Sequence, residues 1–271
     1  MIIISSELVL AAPGDGIDLD APIFGYRDYV ATAGIEATTE DALYPVTNLT
    51  NVSTASFWRG TSTALHYITA TLASAQEVDY VGIARHNFGT AGIAVSVETQ
   101  ASIGAAWVEV IAPAIPANNS TLIFRFVKAS IYAVRVKLAA GSAFPEAAVL
   151  YAGPILVSTQ RIYVGHSPIT LNRQTQVVNG QSESGNYLGR IITGSSLSTS
   201  VNLTHLKPDW YRSEFDPFVL ASQATPFFFG WRPQSYPAEC GYSWLTNNPS
   251  PNNMMSNGMM QVTLEVAGVA S

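Results

Sequence analysis

The segment Tyr132-Ala-Val-Arg-Val-Lys-Leu138 (YAVRVKL) shows the pattern that decides the fold class. Every second position of this segment, from Tyr132 to Leu138, carries a large apolar or aromatic side chain. Two basic residues, Arg135 and Lys137, lie between them. Successive side chains of a β-strand point to opposite faces of its sheet, so the alternation predicts a strand with one buried and one wet face. The same period of two recurs in HYITATL (66–72), GIAVSVETQ (92–100) and TLIFRFVK (121–128).

These segments together predict an antiparallel sandwich over residues 41–153, with turn residues between the strands. The alternation places Leu122, Phe124 and Phe126 on one face of their strand. It places Ile123, Arg125 and Val127 on the other face. Residues 1–40 are turn-rich, so we expect an irregular arm or short strand pair that docks on a neighbouring molecule.

The rest of the chain, 154–271, is also predicted to be mainly β. LSTSVNLTHL (197–206) and MMQVTLEVAG (259–268) alternate, and PFFFGW (226–231) is a continuous apolar run typical of a buried strand. Asn179-Gly180 is a hairpin signal. Pro208 and Pro217 each suit a first helical position and Asp216 suits a cap, which predicts one or two short helices near 208–222, broken by Pro217.

The composition limits the classes of partner. Of the 271 residues only 12% are charged, about half the usual share, and the net charge is −6. Much of the surface is therefore expected to be either uncharged and polar, with Ser, Thr, Asn and Gln side chains, or covered by partners, as in a large assembly. Because no basic block is present, nucleic-acid binding is not expected. No apolar run approaches the roughly 18 residues of a membrane span, and the N-terminus lacks a signal-peptide pattern, so no membrane insertion is expected.

The sequence contains no convincing catalytic or cofactor motif. The four histidines, at positions 66, 86, 166 and 205, are far apart and form no zinc-binding pair. The single cysteine, Cys240, excludes an intrachain disulfide and a thiolate cluster. We therefore expect a protein without enzymatic activity or cofactor. A hydrolase using two carboxylates brought together by folding is the remaining catalytic alternative.

Two loops carry the candidate binding residues. NVSTASFWRG (51–60) ends in Trp58 and Arg59, and ARHNFGTAG (84–92) contains Arg85, His86 and Asn87. These five side chains are candidates for a ligand-facing or partner-facing loop. The competing interpretation makes Trp58 a plug of the sandwich end, with Arg59 paired locally or stacked on an aromatic ring. For ARHN, the competing interpretation is an ordinary turn, in which Asn87 and Gly89 tolerate a positive φ and His86 hydrogen-bonds to the local backbone.

Three carboxylates near the N-terminus, Asp15, Asp18 and Asp20, are close enough in sequence to suggest calcium. Their spacing is not that of an EF-hand loop, and no bidentate Glu follows at the required position. A solvated turn is the competing interpretation.

The order of motifs resembles a known family. YPVTNLTNVSTASFWRG (44–60), VDYVGIARHNFGTAGIAVSVETQ (78–100), AAWVEV (105–110), YAVRVKL and EAAVLYAGP (146–154) follow one another as in the galactose-binding-like, discoidin-type jelly-roll of tailed-bacteriophage structural proteins. The C-terminal half, with PDWYRSEFDPFV (208–219), PFFFGW and a final alternating strand, is similar to phage tail-tip and distal-tail proteins. That resemblance implies a tail-tube-like β-sandwich with a flanking helix.

The resemblance implies a function in assembly. The expectation is a structural component of a phage tail tip or baseplate, made in the bacterial host cytoplasm and located in the virion tail. Its partners would be identical copies in a ring and other tail proteins. The alternative is a carbohydrate-binding module that aids attachment to a host receptor, with a cell-surface glycan as partner.

Overall fold

The computed structural model describes residues 1–254 and 256–269. Met255, inside the predicted polar loop, and the last two residues of the second predicted unit lie outside the described residues. The described strands are, in chain order, β1 Ile2–Ile4, β2 Ile23–Gly25, β3 Gly34–Ala37, β4 Trp58–Arg59, β5 His66–His86, β6 Val95–Gln100, β7 Val108–Ala114, β8 Leu122–Leu138, β9 Glu146–Gly153, β10 Leu156–Val157, β11 Arg173–Gln181, β12 Tyr187–Leu206, β13 Phe227–Gly230, β14 Cys240–Leu245, β15 Asn252–Asn253 and β16 Met260–Gly268. The helices are α1 Ser6–Asp15, α2 Pro208–Trp210 and α3 Asp216–Ser222, with 3-10 turns at Val30–Thr32 and Val46–Thr50.

The strands form two sheets of eight. The first sheet has the order β4-β9-β5-β8-β6-β7, with β1 added on β8 and β3 on β5. The second has the order β10-β2-β13-β14-β16-β12-β11, with β15 on β16. The chain passes from the first sheet to the second between Gly153 and Leu156. Apart from the parallel pair β1–β8, the strand pairs are antiparallel among the described residues. The predicted mainly β fold is therefore confirmed.

The first sheet wraps around its own core because its two longest strands are irregular near the middle. The register between β5 and β8 shifts between Thr71 and Gln76 and again between Val78 and Tyr80. Residues from both ends of β5, such as Ile68 and Ile83, then meet in one buried cluster. The period of two in HYITATL predicts that Ile68, Ala70 and Leu72 share the inward face, and this is confirmed because all three are buried.

The second sheet packs on the helical segment, which fills one side with aromatic rings. Phe24 of β2 contacts Phe215 and Phe218, with ring centroids 5.7 and 4.8 Å apart. The predicted helix near 208–222 is present, but it is not broken at Pro217. A π-helical turn over Tyr211–Phe215 joins α2 to α3. A wider turn of this kind gives room for the ring of Pro217, which would clash with a carbonyl of a regular helix.

Three local predictions need correction. Asp216 lies in the first turn of α3 and makes no capping hydrogen bond there. Asn179 and Gly180 lie within β11, and the hairpin turns later, where the amide of Ser182 donates to the carbonyl of Asn186. Arg125 is not on a wet face but buried, because that face of β8 packs against the second sheet.

The N-terminal segment also differs from the expectation of an irregular arm on a neighbouring molecule. Its strands pair within the chain, β1 and β3 in the first sheet and β2 in the second. Residues 6–15 form a helix that was not predicted. The Ser5 hydroxyl accepts a hydrogen bond from the Leu8 amide, and Gly16 ends the helix in the left-handed conformation. Ser at an N-cap and Gly just after the last turn are the signals that identify this helix.

The two sheets are joined by a buried cluster that contains residues from both. Tyr151 of β9 packs edge-on against Phe228 of β13, with ring centroids 5.3 Å apart. Gly82 of β5 permits this contact, because a Cβ at that position would lie 2.7 Å from the Phe228 ring. The close approach holds the second sheet against the first and defines a cavity at one end of their junction.

Candidate ligand-binding cavity

The cavity has a volume of about 650 Å³ and lies where residues of both sheets face each other. From the first sheet it receives Arg85, His86 and the loop 118–121 that precedes β8. From the second sheet it receives Thr170, Leu171 and residues of β11, β12 and β14. This volume falls within the range of small-molecule sites, and the lining combines hydroxyl and amide groups with apolar side chains.

Arg85 lies at the rim of the cavity, near the end of β5. The pairing of β5 with β9 keeps a single register through this end, with Ala84 opposite Val149 and His86 opposite Ala147. The φ of Arg85 is 51°, in the left-handed region that costs a residue with a Cβ roughly 1–2 kcal/mol. Arg85 is exposed at the rim, and backbone strain of this kind is common at functional sites.

His86, in contrast, has both ring nitrogens occupied. The Phe88 amide donates to Nδ1 at 3.2 Å, so Nε2 carries the proton and donates to the Ser120 carbonyl at 2.8 Å. The ring stacks on Phe88 with centroids 4.7 Å apart. Burial lowers the pKa of His86 to about 4, so the ring is neutral at physiological pH. His86 therefore positions the loop 118–121 rather than offering a free base to a ligand.

This burial predicts a pH-dependent loss of stability. The folded pKa of His86, about 4, lies below the ordinary histidine value of 6.5, so the unfolded chain binds the extra proton first. The stabilisation is complete above pH 6.5 and declines as the pH falls toward 4, by about 3 kcal/mol in total. His86→Gln should therefore show a shallower decline than the unmodified protein in urea unfolding measured between pH 7 and 4. Substitution of the exposed His205 by Asn is the control, and parallel curves for His86→Gln would contradict the prediction.

Asn87 is fully engaged in the fold. Its side-chain amide donates to the Phe144 carbonyl at 2.7 Å, and its Oδ1 accepts from the Glu146 amide at 3.0 Å. The side chain thus ties the loop after β5 to the start of β9. The turn interpretation accounts for Asn87, and the ligand-facing interpretation does not.

Trp58 and Arg59 lie away from the cavity. Trp58 is 0% exposed and donates its indole N–H to the Thr39 carbonyl at 3.1 Å, so it is a core plug. Arg59 forms an ion pair of 2.7 Å with Glu146, and its guanidinium lies 4.5 Å from the centroid of the Tyr44 ring. Of the five predicted site residues, the structure brings only Arg85 and His86 to the cavity.

The sequence-based prediction missed the residues that come from the second sheet. Arg173 at the start of β11, Thr170 just before it and Ser195 of β12 line the opposite side of the cavity. These positions follow Arg85 by more than 80 residues, and no local pattern marks them. Only the packing of one sheet on the other brings them near Arg85.

The cavity is positively charged although the chain is acidic overall. Arg85 and Arg173 line it, and none of the lining residues is acidic. In the part of the chain that the structure describes, neither arginine forms an ion pair. Two guanidinium groups at one cavity favour a ligand with negative charge or many hydrogen-bond acceptors.

The three N-terminal carboxylates do not form a calcium site. Both oxygens of Asp18 accept from Arg161, at 2.5 and 2.6 Å, and this contact lowers the pKa of Asp18. Asp20 accepts from the amide and the hydroxyl of Ser235, at 2.8 and 2.6 Å. Across residues 1–254 and 256–269, no group of three or more His, Cys, Asp or Glu side chains is arranged to hold a metal ion.

A second surface feature is the outer part of the β11–β12 hairpin, residues 173–196, which we call the ribbon. The strand β16 pairs with β12 only from Leu197 onward, so the ribbon extends beyond the sheet. It exposes five large apolar side chains: Val178 57%, Tyr187 69%, Leu188 68%, Ile191 68% and Ile192 64%. Val178 is paired with Ile191, and Val177 with Ile192, so adjacent pairs place apolar groups on both faces.

None of the helices in the described ranges is long and apolar enough to cross a bilayer.

Comparison with known proteins gave structural similarity only. No family model matches the sequence, and no curated protein matches it. Among solved structures, chitosan-binding module 1 from a chitosanase/glucanase of Paenibacillus sp. IK-5 is 13% identical, with a TM-score of 0.43, over 47% of this chain and 99% of that one. The family 32 CBM from C. perfringens NanJ, solved with galactose, is 12% identical with a TM-score of 0.42, over 49% of this chain and 99% of that one.

Proposed function

We propose that this protein is a structural component of a multi-copy assembly and that the ribbon is its main contact with a second copy. The exposed apolar side chains on both faces of the ribbon carry this proposal. A two-stranded hairpin that extends alone into water is marginally stable. A soluble monomer rarely displays a contiguous apolar patch of this kind.

The free edge of the ribbon adds a second argument. Strand β11 is the last strand of the second sheet, and no described strand pairs with its outer edge. An open edge offers unpaired amide and carbonyl groups to another strand. Burial of the five exposed side chains would contribute on the order of 5–10 kcal/mol, since each is about two-thirds exposed and full burial is worth about 1.5–3 kcal/mol.

A ring in a phage tail tip or baseplate is the setting that we propose for this assembly. Repeated copies in contact through the ribbon, β-edges and uncharged loops would cover much of the surface of a chain in which only 12% of all residues are charged. Contact with other tail proteins, and location in the virion after synthesis in the host cytoplasm, belong to the same proposal.

Light scattering and electron microscopy of the full chain test the assembly. We expect a mass several times that of one chain, 29.0 kDa, and particles with rotational symmetry. A monomer at high concentration would contradict the proposal. The setting has its own test: mass spectrometry of tailed particles purified from the bacterium that encodes the chain should detect it, and its absence from them would exclude a virion protein.

The second candidate function is carbohydrate binding at the cavity, as an accessory to receptor attachment. The observation that favours it is the lining, in which the Asn118 amide and the Thr170 and Ser195 hydroxyls lie beside apolar Leu171 and Leu197. Sugars present hydroxyl groups and apolar C–H faces to such mixed surfaces. The solved proteins named above are themselves described as binding chitosan or as complexed with galactose.

A glycan array with the full chain tests this second function. We expect retention of a defined set of oligosaccharides and loss of that binding when Leu171, a 61% exposed residue that lines the cavity, is replaced by Lys. Binding by Leu10→Lys, which changes an exposed residue of α1, should be unchanged. No retained glycan at any protein concentration would reject carbohydrate binding and leave the assembly proposal unaffected.

A further inference from the structure

We infer that the cavity between the sheets binds an acidic saccharide and that Arg85 and Arg173 hold its carboxylate, sulfate or phosphate group. This inference rests on the second candidate function, carbohydrate binding. It goes further by naming the charge of the ligand and the two side chains that select it.

The first step is the charge of the lining. Two arginines from different sheets line the cavity, Arg85 near the end of β5 and Arg173 at the start of β11. An ion pair for either group is absent among the side chains that the structure describes. The walls contain no carboxylate that would repel an anion. An anionic group between them would form the charge-assisted hydrogen bonds that these donors lack.

The second step is that the neighbouring donors are already committed. The Nε2–H of His86 donates to the Ser120 carbonyl, and the thiol of Cys240 donates to the Thr121 carbonyl at 3.3 Å. Asn119 is bound to Thr90, whose amide donates to its Oδ1 at 3.0 Å. These contacts fix the cavity floor, so the two arginines supply the positive charge that a ligand meets.

The third step is the conformation of Arg85. Its φ of 51° is strained for any residue with a Cβ, and glycine would relieve that strain. Among the described residues, the Arg85 side chain forms no ion pair that would offset the cost of this strain. The positive φ of Arg85 would cost glycine less than it costs arginine. An arginine at this position is therefore consistent with a role in binding rather than in stability.

The polar groups on the far wall suit the rest of a sugar. Thr170 and Ser195 line the cavity together with Arg173. The Asn118 Oδ1 accepts from the Ser120 amide at 3.0 Å, and Asn118 is also a lining residue. A cavity of about 650 Å³ has room for a saccharide and not only for a single small ion.

An array of uronate-containing, sialylated, sulfated and neutral oligosaccharides tests the inference, followed by calorimetric titration of the best binder. We expect acidic oligosaccharides to bind and their neutral counterparts, such as the methyl esters of the uronates, to bind roughly 10- to 100-fold more weakly. Arg85→Gly and Arg173→Gln should each reduce affinity for the acidic probe by a similar factor. Arg85→Lys should retain part of it.

The controls separate binding from folding. Arg85→Gly should melt at the same temperature as the unmodified protein or higher, because it relieves the positive φ. Arg190→Gln removes an exposed arginine of the ribbon that does not line the cavity, and it should bind the acidic probe normally.

Each other outcome overturns the inference in a recognisable way. Equal binding of acidic and neutral oligosaccharides would retain carbohydrate binding and reject anion selection. Sodium sulfate that binds as tightly as the acidic saccharide, with the same dependence on Arg85, would identify a small-anion site instead. Absence of binding to every probe would reject both this inference and carbohydrate binding.

Discussion

Replacing Ile191 with lysine will convert the assembled protein largely to monomers. Ile191 is 68% exposed on the ribbon and is paired with Val178, so it occupies the middle of one apolar face. A lysine there would have to be buried, unpaired, in any interface that covers the ribbon. Central apolar contacts of interfaces contribute about 2 kcal/mol or more, so self-association should weaken at least about 30-fold.

Light scattering across a concentration series measures the change, and Ile192→Lys separates the two faces. Ile192 lies on the opposite face and is 64% exposed, so the variant with the stronger effect identifies the face that is covered. Leu10→Lys, at an 82% exposed position of α1, is the matched control and should assemble normally. Assembly of both ribbon variants at unchanged affinity would remove the ribbon from the interface.

Replacing Trp58 with alanine should destabilise the fold by about 3–5 kcal/mol. The indole is fully buried in the core enclosed by the first sheet, and its removal leaves a large cavity. The change also leaves the Thr39 carbonyl without its indole donor. Urea unfolding measures the loss. Trp58→Phe retains most of the apolar volume and should lose less.

The same variant distinguishes a core plug from a binding platform. At urea concentrations near its unfolding midpoint, Trp58→Ala will lose ligand binding because much of the protein is unfolded. At low temperature and without urea, its folded fraction should bind any ligand of the cavity as the unmodified protein does. A stable Trp58→Ala protein that had lost binding would restore Trp58 as a ligand contact.

The strands were predictable from local alternation, and their surroundings were not. In LSTSVNLTHL the alternation predicts Leu197, Val201 and Leu203 on the inward face. All three are buried, because one face of β12 packs on the core. In TLIFRFVK the same rule fails for Ile123 and Arg125, because the second sheet covers the face that was assigned to solvent. A period of two shows which residues share a face but cannot show that another sheet will cover the second face.

The candidate site was predictable to a similar extent. The position of Arg85 and His86 at a strand end follows from the apolar strand before the loop and from Gly89 and Gly92 after it. The roles of the two residues could not be separated from sequence, because one side chain lines the cavity rim while the other is bound to Ser120. Arg173 depends on a contact between distant parts of the chain, and no alternation or spacing encodes it.

The position of β2 has a consequence for how the protein is made. Residues 23–25 lie between β10 and β13, so a strand from the beginning of the chain occupies an interior position of the second sheet. During synthesis β2 leaves the ribosome about 200 residues before Phe228, its partner in β13. The second sheet cannot close until β13 has emerged, about 200 residues after β2. A ribosome that stalls or terminates before β13 therefore releases a chain in which β2 lacks its partner β13. Such a chain exposes an unpaired strand edge, so it is a substrate for chaperones and proteases rather than a stable partial unit.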